Sequence, residues 1–340
     1  MSRQTALRVV VGLVVSSLFI VLLLRELDAD EVGEAFREVE WRWVVLAGVP
    51  FAAGLWVRAL RWRIVLRPAV AVPRSEAASL VVIGLAANNL LPIRAGEVVR
   101  AVLVERRHGG SRLLVLGTIV VERVFDGLVL ALFLAVTLAT AGSNDVLRVL
   151  AAIAGVGFVV ATAVLAALAA RPESTSRRLV SLLALAPARV RPRARAWLGS
   201  FLGGLGQLRG ASQWGAVVGA TALSWGLEAC AYWLVGEAFG LGVDPWLYVG
   251  VAGASNLAIA APSTAGGIGP FEYFAREVLV VFGVGTATAT AYAIALHVLI
   301  LVPVVVAGLL LLWQRHLGPA VLAHPERVAA EVGEPLEVPR

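Results

Sequence analysis

Three clusters of ionisable residues sit inside apolar stretches, where a charge costs roughly 2.5–3.5 kcal/mol on insertion scales and so needs a partner or water. Arg94, Glu97 and Arg100 recur three apart after Pro92 and share one helical face. Glu122, Arg123 and Asp126 lie within about one turn, with Glu122 and Asp126 on the same side. Glu272 and Arg276 are four apart, and Glu277 follows. Guanidinium pairs bidentately with phosphate, so Arg94, Arg100 and Arg123 are candidates to receive an anionic headgroup. Helix starts after Pro92 and after Gly269-Pro270 would add backbone amides and the positive end of a dipole. The competing reading is internal neutralisation, with Arg123 paired to Glu97 or Asp126 and Glu272 paired to Arg276; the two readings are compatible. Glu228 and His297 are single polar groups in long apolar runs, read either as packing partners or as proton-coupling groups.

The elements that must hold these charges are membrane helices. Hydrophobic residues make up 59% of the 340 and charged ones 15%, with a mean hydropathy of +0.85, a surplus that a soluble core cannot absorb. Runs of about 20 apolar residues recur, so the surplus is spread over several spans. The net charge of +6 rests on arginine alone, since the sequence has no lysine. Those arginines flank apolar segments instead of forming a basic domain, which points to anionic lipid rather than nucleic acid. One cysteine, Cys230, excludes an internal disulfide, and four scattered histidines give no metal-ligand spacing, so neither a metal nor a cofactor is expected. Most tryptophans lie near segment ends and read as an interfacial belt. Arg25, Glu26 and Asp28 follow the first apolar run without a small-residue cleavage site, so that run reads as a retained anchor.

The expected fold is an all-α, polytopic transmembrane helix bundle. Six long spans are expected at Ala6–Leu24, Trp43–Leu66, Leu113–Ala141, Val146–Ala170, Trp214–Leu241 and Thr286–Trp313. Two further stretches are broken. One runs from Ala77 to Leu103 through Asn88, Asn89, Pro92 and Gly96, the other from Trp246 to Phe282 through Pro262, Gly266, Gly267, Gly269 and Pro270. Broken backbone at membrane depth is tolerated only where protein or a water-filled cavity satisfies it, so both stretches are expected to be re-entrant and to line the interior. A re-entrant first stretch puts Arg58, Arg61, Arg63, Arg67 and Arg74 on the same cytoplasmic face as Arg106, Arg107 and Arg112, with both termini cytoplasmic. Each half then holds a long span, a broken stretch and another long span, 43–141 and 214–313, an inverted-topology repeat of the kind that builds a transporter's central site. The alternative is chance pairing in a Gly- and Ala-rich chain. The transmembrane unit covers 1–313, with an amphipathic cytoplasmic connection over 171–211 and a disordered cytoplasmic tail over 314–340.

At Asn88-Asn89-Leu90-Leu91-Pro92-Ile93-Arg94-Ala95-Gly96-Glu97-Val98-Val99-Arg100, at Glu122-Arg123-Val124-Phe125-Asp126 and at Pro262-Ser263-Thr264-Ala265-Gly266-Gly267-Ile268-Gly269-Pro270-Phe271-Glu272, the chain resembles the lysylphosphatidylglycerol synthase transmembrane-region family. Ala265 stands where a proline is common in that family's Pro-Gly-Gly-Ile-Gly-x-x-Glu signature. The resemblance implies an eight-segment fold like the flippase half of the bacterial multiple-peptide-resistance factor, which carries aminoacylated phospholipid between leaflets. Only a short tail follows Trp313, so the aminoacyl-transfer domain of the fused members is not expected and lipid synthesis by this chain alone is disfavoured. Standalone relatives include some linked to polyprenyl-phosphate sugar pathways.

The leading expectation is a plasma-membrane lipid translocator for an anionic or aminoacylated phospholipid or a polyprenyl-phosphate-linked lipid. Two alternatives stay open. One is an integral-membrane transferase with Glu97, Asp126 or Glu272 as base. The other is a noncatalytic partner of a separate lipid-modifying enzyme.

Overall fold

The computed structural model describes residues 3–25, 29–67, 70–91, 95–141, 144–170, 211–259 and 265–315. Pro92, Arg94, Pro262, the connection over 171–210 and the tail beyond Arg315 lie outside the described residues. All regular structure among the described residues is helical: α1 (Arg3–Leu24), α2 (Ala29–Arg37), α3 (Trp41–Leu66), α4 (Arg74–Leu90), α5 (Gly96–His108), α6 (Arg112–Ala141), α7 (Asp145–Ala170), α8 (Ala211–Ala238), α9 (Tyr248–Ala258), α10 (Pro270–Val281) and α11 (Thr286–Gln314). Each of the six expected long segments falls on one helix, the fifth ending at Ala238 and not Leu241. Among the described residues, three stretches, Trp41–Leu66, Asp145–Val164 and Thr286–Gln314, are long and apolar enough on their own to cross a membrane.

The outside of the bundle is greasier than parts of its inside. Val45, Val49, Ile153, Val156, Val159, Leu310 and Trp313 are exposed, while Arg61, Glu122, Asp126 and Arg276 are buried. That distribution suits a solvent of hydrocarbon, in which exposed Val and Leu cost nothing and polar groups gain by facing one another.

Both broken stretches fold back on themselves. α4 stops where the coming Pro92 disfavours helix, and α5 starts at Gly96. The two helices then run antiparallel so closely that a Cβ on Gly96 would overlap the carbonyl oxygen of Gly84, which only glycine permits. Their open ends are tied together at Glu76, which accepts from Arg107 at 3.4 Å and from Arg315, just after α11, at 2.6 Å. In the second hairpin, Gly266, Gly267 and Gly269 take φ of 74°, 75° and 99°, and Pro270 starts α10 with its ring preset for a first turn. Leu247, just before α9, and Phe282, just after α10, share one pocket with Glu38 and Gly285, so the open end of this hairpin lies at the opposite end of the bundle from Glu76.

Packing between the halves is reciprocal. α3 and α8 lie antiparallel along their length, from Glu40, whose N–H donates to the Ala238 carbonyl at 3.0 Å, to the Val65–Val217 cluster. α4 packs on α11, the long helix of the other half, and α9 packs on α6. Gly253 lets α9 approach so near that a Cβ there would sit 2.8 Å from the Leu130 carbonyl oxygen. The hairpin tips meet inside, where Gly266 lies against the Asn89 backbone.

Candidate functional site

A chain of buried charges runs between the two hairpins. Arg100 on α5 donates to Glu122 on α6 at 3.0 Å, and Glu122 also accepts from Arg61 of α3 at 3.3 Å. Arg61, 1% exposed, reaches both oxygens of Asp126, at 2.5 and 3.2 Å, and donates to the Thr221 hydroxyl of α8 at 3.0 Å. Trp225 donates its indole N–H to Asp126 at 2.9 Å, and Arg58 lies 4.1 Å from the Trp225 ring while its other face pairs with Glu228. Glu228 accepts from the Tyr232 hydroxyl at 3.1 Å, which in turn accepts from Asn256 of α9 at 3.0 Å. Three guanidiniums, Arg58, Arg61 and Arg100, thus face three carboxylates, Glu122, Asp126 and Glu228, and the set is electrically balanced. Such burial is tolerable because each charge meets an opposite one directly and is hydrogen-bonded to further groups.

Arg123 adds a positive charge to that set, offset by the nearby Glu97 carboxylate. It approaches Asp126 at 3.8 Å with 44% of its side chain exposed. Asn88 bridges the break of the first hairpin, accepting the Gly96 N–H at 2.8 Å and donating to Glu97 at 3.1 Å. In the second hairpin Glu272 accepts the Gly269 N–H at 2.7 Å and meets His297 of α11 at 2.5 Å.

Where the tips meet there is a cavity of about 100 Å³. Its polar lining comes from Arg58, Asn89, Asn256, Gly266 and His297, one from each of α3, α4, α9, the second tip and α11. The two asparagines thus face one space from opposite halves.

Several expectations need correction. Arg58 and Arg61, expected on a cytoplasmic face, are instead central members of the interior chain. Glu272 turns to His297 instead of Arg276, because it caps the start of its own helix; Arg276 pairs with Glu277 at 2.9 Å and donates to the Leu23 carbonyl at 3.3 Å. Asp126 is held chiefly by Arg61, with Arg123 a more distant neighbour. Trp62 and Trp225 are buried in the network, Trp62 beneath Arg100 at 3.9 Å, whereas Trp41, Trp246 and Trp313 near helix ends and Trp56 within α3 are exposed. The remaining expected site residues divide by position. Glu122, Arg123, Asp126 and Arg100 gather in the chain; Asn88, Gly96 and Glu97 sit at the first break; Asn89 and Gly266 line the cavity; Gly267, Gly269 and Glu272 form the second tip; Arg276 lies apart.

The profile of the lysylphosphatidylglycerol synthase TM region matches residues 9–308. A curated relative named glycosyltransferase AglD, from Haloferax volcanii, is 28% identical over 297 residues, a stretch covering 78% of this chain and 47% of that protein. The chain therefore spans about half the length of that relative. No solved structure matches.

Proposed function

Starting from the chain's membership of the lysylphosphatidylglycerol synthase transmembrane-region family, we propose that it is a lipid translocator of the plasma membrane, moving an anionic or aminoacylated phospholipid or a polyprenyl-phosphate-linked lipid between leaflets. The observation that carries this reading is the polar cavity between the hairpin tips, from which the charge chain leads to half-exposed Arg123. In this reading the bundle is one transmembrane domain of six spans and two re-entrant hairpins, with both termini cytoplasmic. The reciprocal packing of α4 on α11 and α9 on α6 supports an inverted repeat, 43–141 against 214–313. Arg123 receives the phosphate at the surface, Arg100, Glu97 and Asn88 frame the first hairpin, and Asn89, Asn256 and Gly266 bound the passage between the tips. Arg94, Pro92 and Pro262 belong to the same two breaks by sequence.

A second reading has one observation in its favour. The relative from Haloferax volcanii is named a glycosyltransferase, which keeps open a transferase acting on a lipid carrier or a partner of one.

The test is leaflet exchange in liposomes containing the purified chain, with fluorescent anionic phospholipid, aminoacylated phospholipid and polyprenyl phosphate compared. Arg123→Ala removes a half-exposed side chain whose contact with Asp126 is long, at 3.8 Å, and Asp126 keeps Arg61 and the Trp225 indole, so folding is expected to survive. Exchange of one lipid class that falls at least tenfold in Arg123→Ala supports translocation. Absence of exchange for all three from folded protein overturns it and moves the weight to the second reading.

A further inference from the structure

His297 has an acceptor at each ring nitrogen. Nε2 lies 3.0 Å from the carbonyl oxygen of Gly266, and a carbonyl only accepts, so Nε2 carries hydrogen. Nδ1 lies 2.5 Å from one oxygen of Glu272, while the other oxygen of that carboxylate already accepts the Gly269 N–H at 2.7 Å. Two lone pairs cannot face each other at that distance, so a proton sits between Nδ1 and Glu272 whichever atom formally owns it. The dyad is neutral with this proton bound. Without it, the pair carries one buried negative charge and its central contact becomes repulsive.

That one proton fastens the whole tip. Gly266 hangs on Nε2, Gly269 hangs on Glu272, and three left-handed glycines lie between Ala265 and Pro270, so the loop has little rigidity of its own. His297 and Gly266 both line the cavity between the hairpins, which leaves room for water beside the site. The surroundings are otherwise uncharged or balanced. Phe271 of α10 stacks on the imidazole at 4.4 Å, α4 supplies Asn89, α9 supplies Asn256, and α3 supplies Arg58, which is paired with Glu228 of α8. Arg58 Nε has no hydrogen-bond partner among the described residues, so Arg58 is the cation placed to answer a new negative charge across the cavity.

We propose that Glu272 and His297 form a proton-binding site that locks the second hairpin tip to α11, and that lipid movement through the bundle is coupled to binding and release of that proton. The coupling rests on the translocator reading; the proton site does not. Proton release frees the tip and draws Arg58 from Glu228 toward the dyad, so the cavity between the hairpins changes shape in step with protonation. Glu272→Gln mimics the protonated carboxyl, since its amide donates to Nδ1 and its oxygen accepts from Gly269, and it fixes the locked state.

The test uses the full chain in phosphatidylglycerol–phosphatidylethanolamine vesicles, with a nitroxide on Ile268→Cys in a Cys230→Ser background. Ile268 is 47% exposed and sits in the tip. The expected spectrum is immobile near pH 5 and mobile near pH 9 for the reporter chain, and immobile throughout when Glu272→Gln is added. Unchanged spectra across that range in the reporter chain, or a Glu272→Gln chain that titrates like it, overturn the proton site. In the same vesicles, an imposed pH gradient should speed exchange of a fluorescent anionic phospholipid about tenfold in the wild type and leave Glu272→Gln unchanged. Wild-type exchange that ignores the gradient overturns the coupling. Spectra that titrate as expected without any lipid exchange retain the proton site and reject the translocator reading.

Discussion

Replacing Arg61 with Met tests whether the interior charge chain holds the bundle together. Arg61 is buried on all sides, and the substitution keeps an unbranched side chain while deleting two bonds to Asp126, one to Glu122 and one to Thr221. Removing one partner of a buried ion pair costs about 3–5 kcal/mol. Here Glu122 keeps Arg100 at 3.0 Å and Asp126 keeps the Trp225 indole at 2.9 Å, so the expected loss is at the lower end, about 3 kcal/mol, or roughly 150-fold in the folding equilibrium. Reversible unfolding in mixed micelles, followed by tryptophan fluorescence, gives the number. The double variant Arg61→Met/Asp126→Leu removes both charges together and should recover about 2 kcal/mol relative to the sum of the single changes. A single-variant loss below about 1 kcal/mol, or changes that add within about 0.5 kcal/mol, would refute the view that these charges are held by one another.

Two further outcomes are expected. Gly96→Ala should open the first hairpin, because its Cβ meets the Gly84 carbonyl oxygen and the Asn88 side chain, whereas Gly155→Ala, with nothing within 4 Å, should leave stability within about 0.5 kcal/mol of wild type; thermal unfolding of both variants distinguishes them. Glu76 lies at the rim, where burial alone would raise its carboxyl but the hydrogen bond and charge of Arg315, with Arg107 and His108 beside them, hold it below its ordinary 4.5. Its contribution is therefore complete above the unfolded value and lost as pH falls through the folded one, so Glu76→Gln should lower Tm by about 2–4 °C at neutral pH and match wild type in strong acid.

The two breaks were legible because Pro92 and the Gly266–Pro270 run punctuate otherwise apolar stretches, and only a broken helix satisfies such sequences. Glu122 and Asp126 were legible as one face because helical spacing is a local rule. Arg58 and Arg61 were not, since an arginine near the end of an apolar helix reads equally as a rim charge, and their partners lie far along the chain at Glu228, Glu122 and Asp126. Glu272 and Arg276 obeyed the four-residue spacing of an ion pair, yet a carboxylate in a first helical turn is better satisfied by the exposed amide of Gly269 and by a histidine across the interface. Spacing gives the face of a helix, and only tertiary packing gives what that face meets.

Reciprocal packing also has a cost in time during synthesis. Hairpin one rests its first helix on α11, and α11 begins only at Thr286, so the nascent first half must wait for the intervening chain before its interface can close. At about 5–20 residues per second that wait lasts tens of seconds, with the alanine-rich α4 face and the arginines of α3 facing lipid or an insertion chaperone rather than their final neighbours. Severing the chain between the halves would not yield two folded units, because each half supplies the wall on which the other's hairpin leans. Neither half is therefore complete without the other, and the early helices pass through a period of incomplete burial.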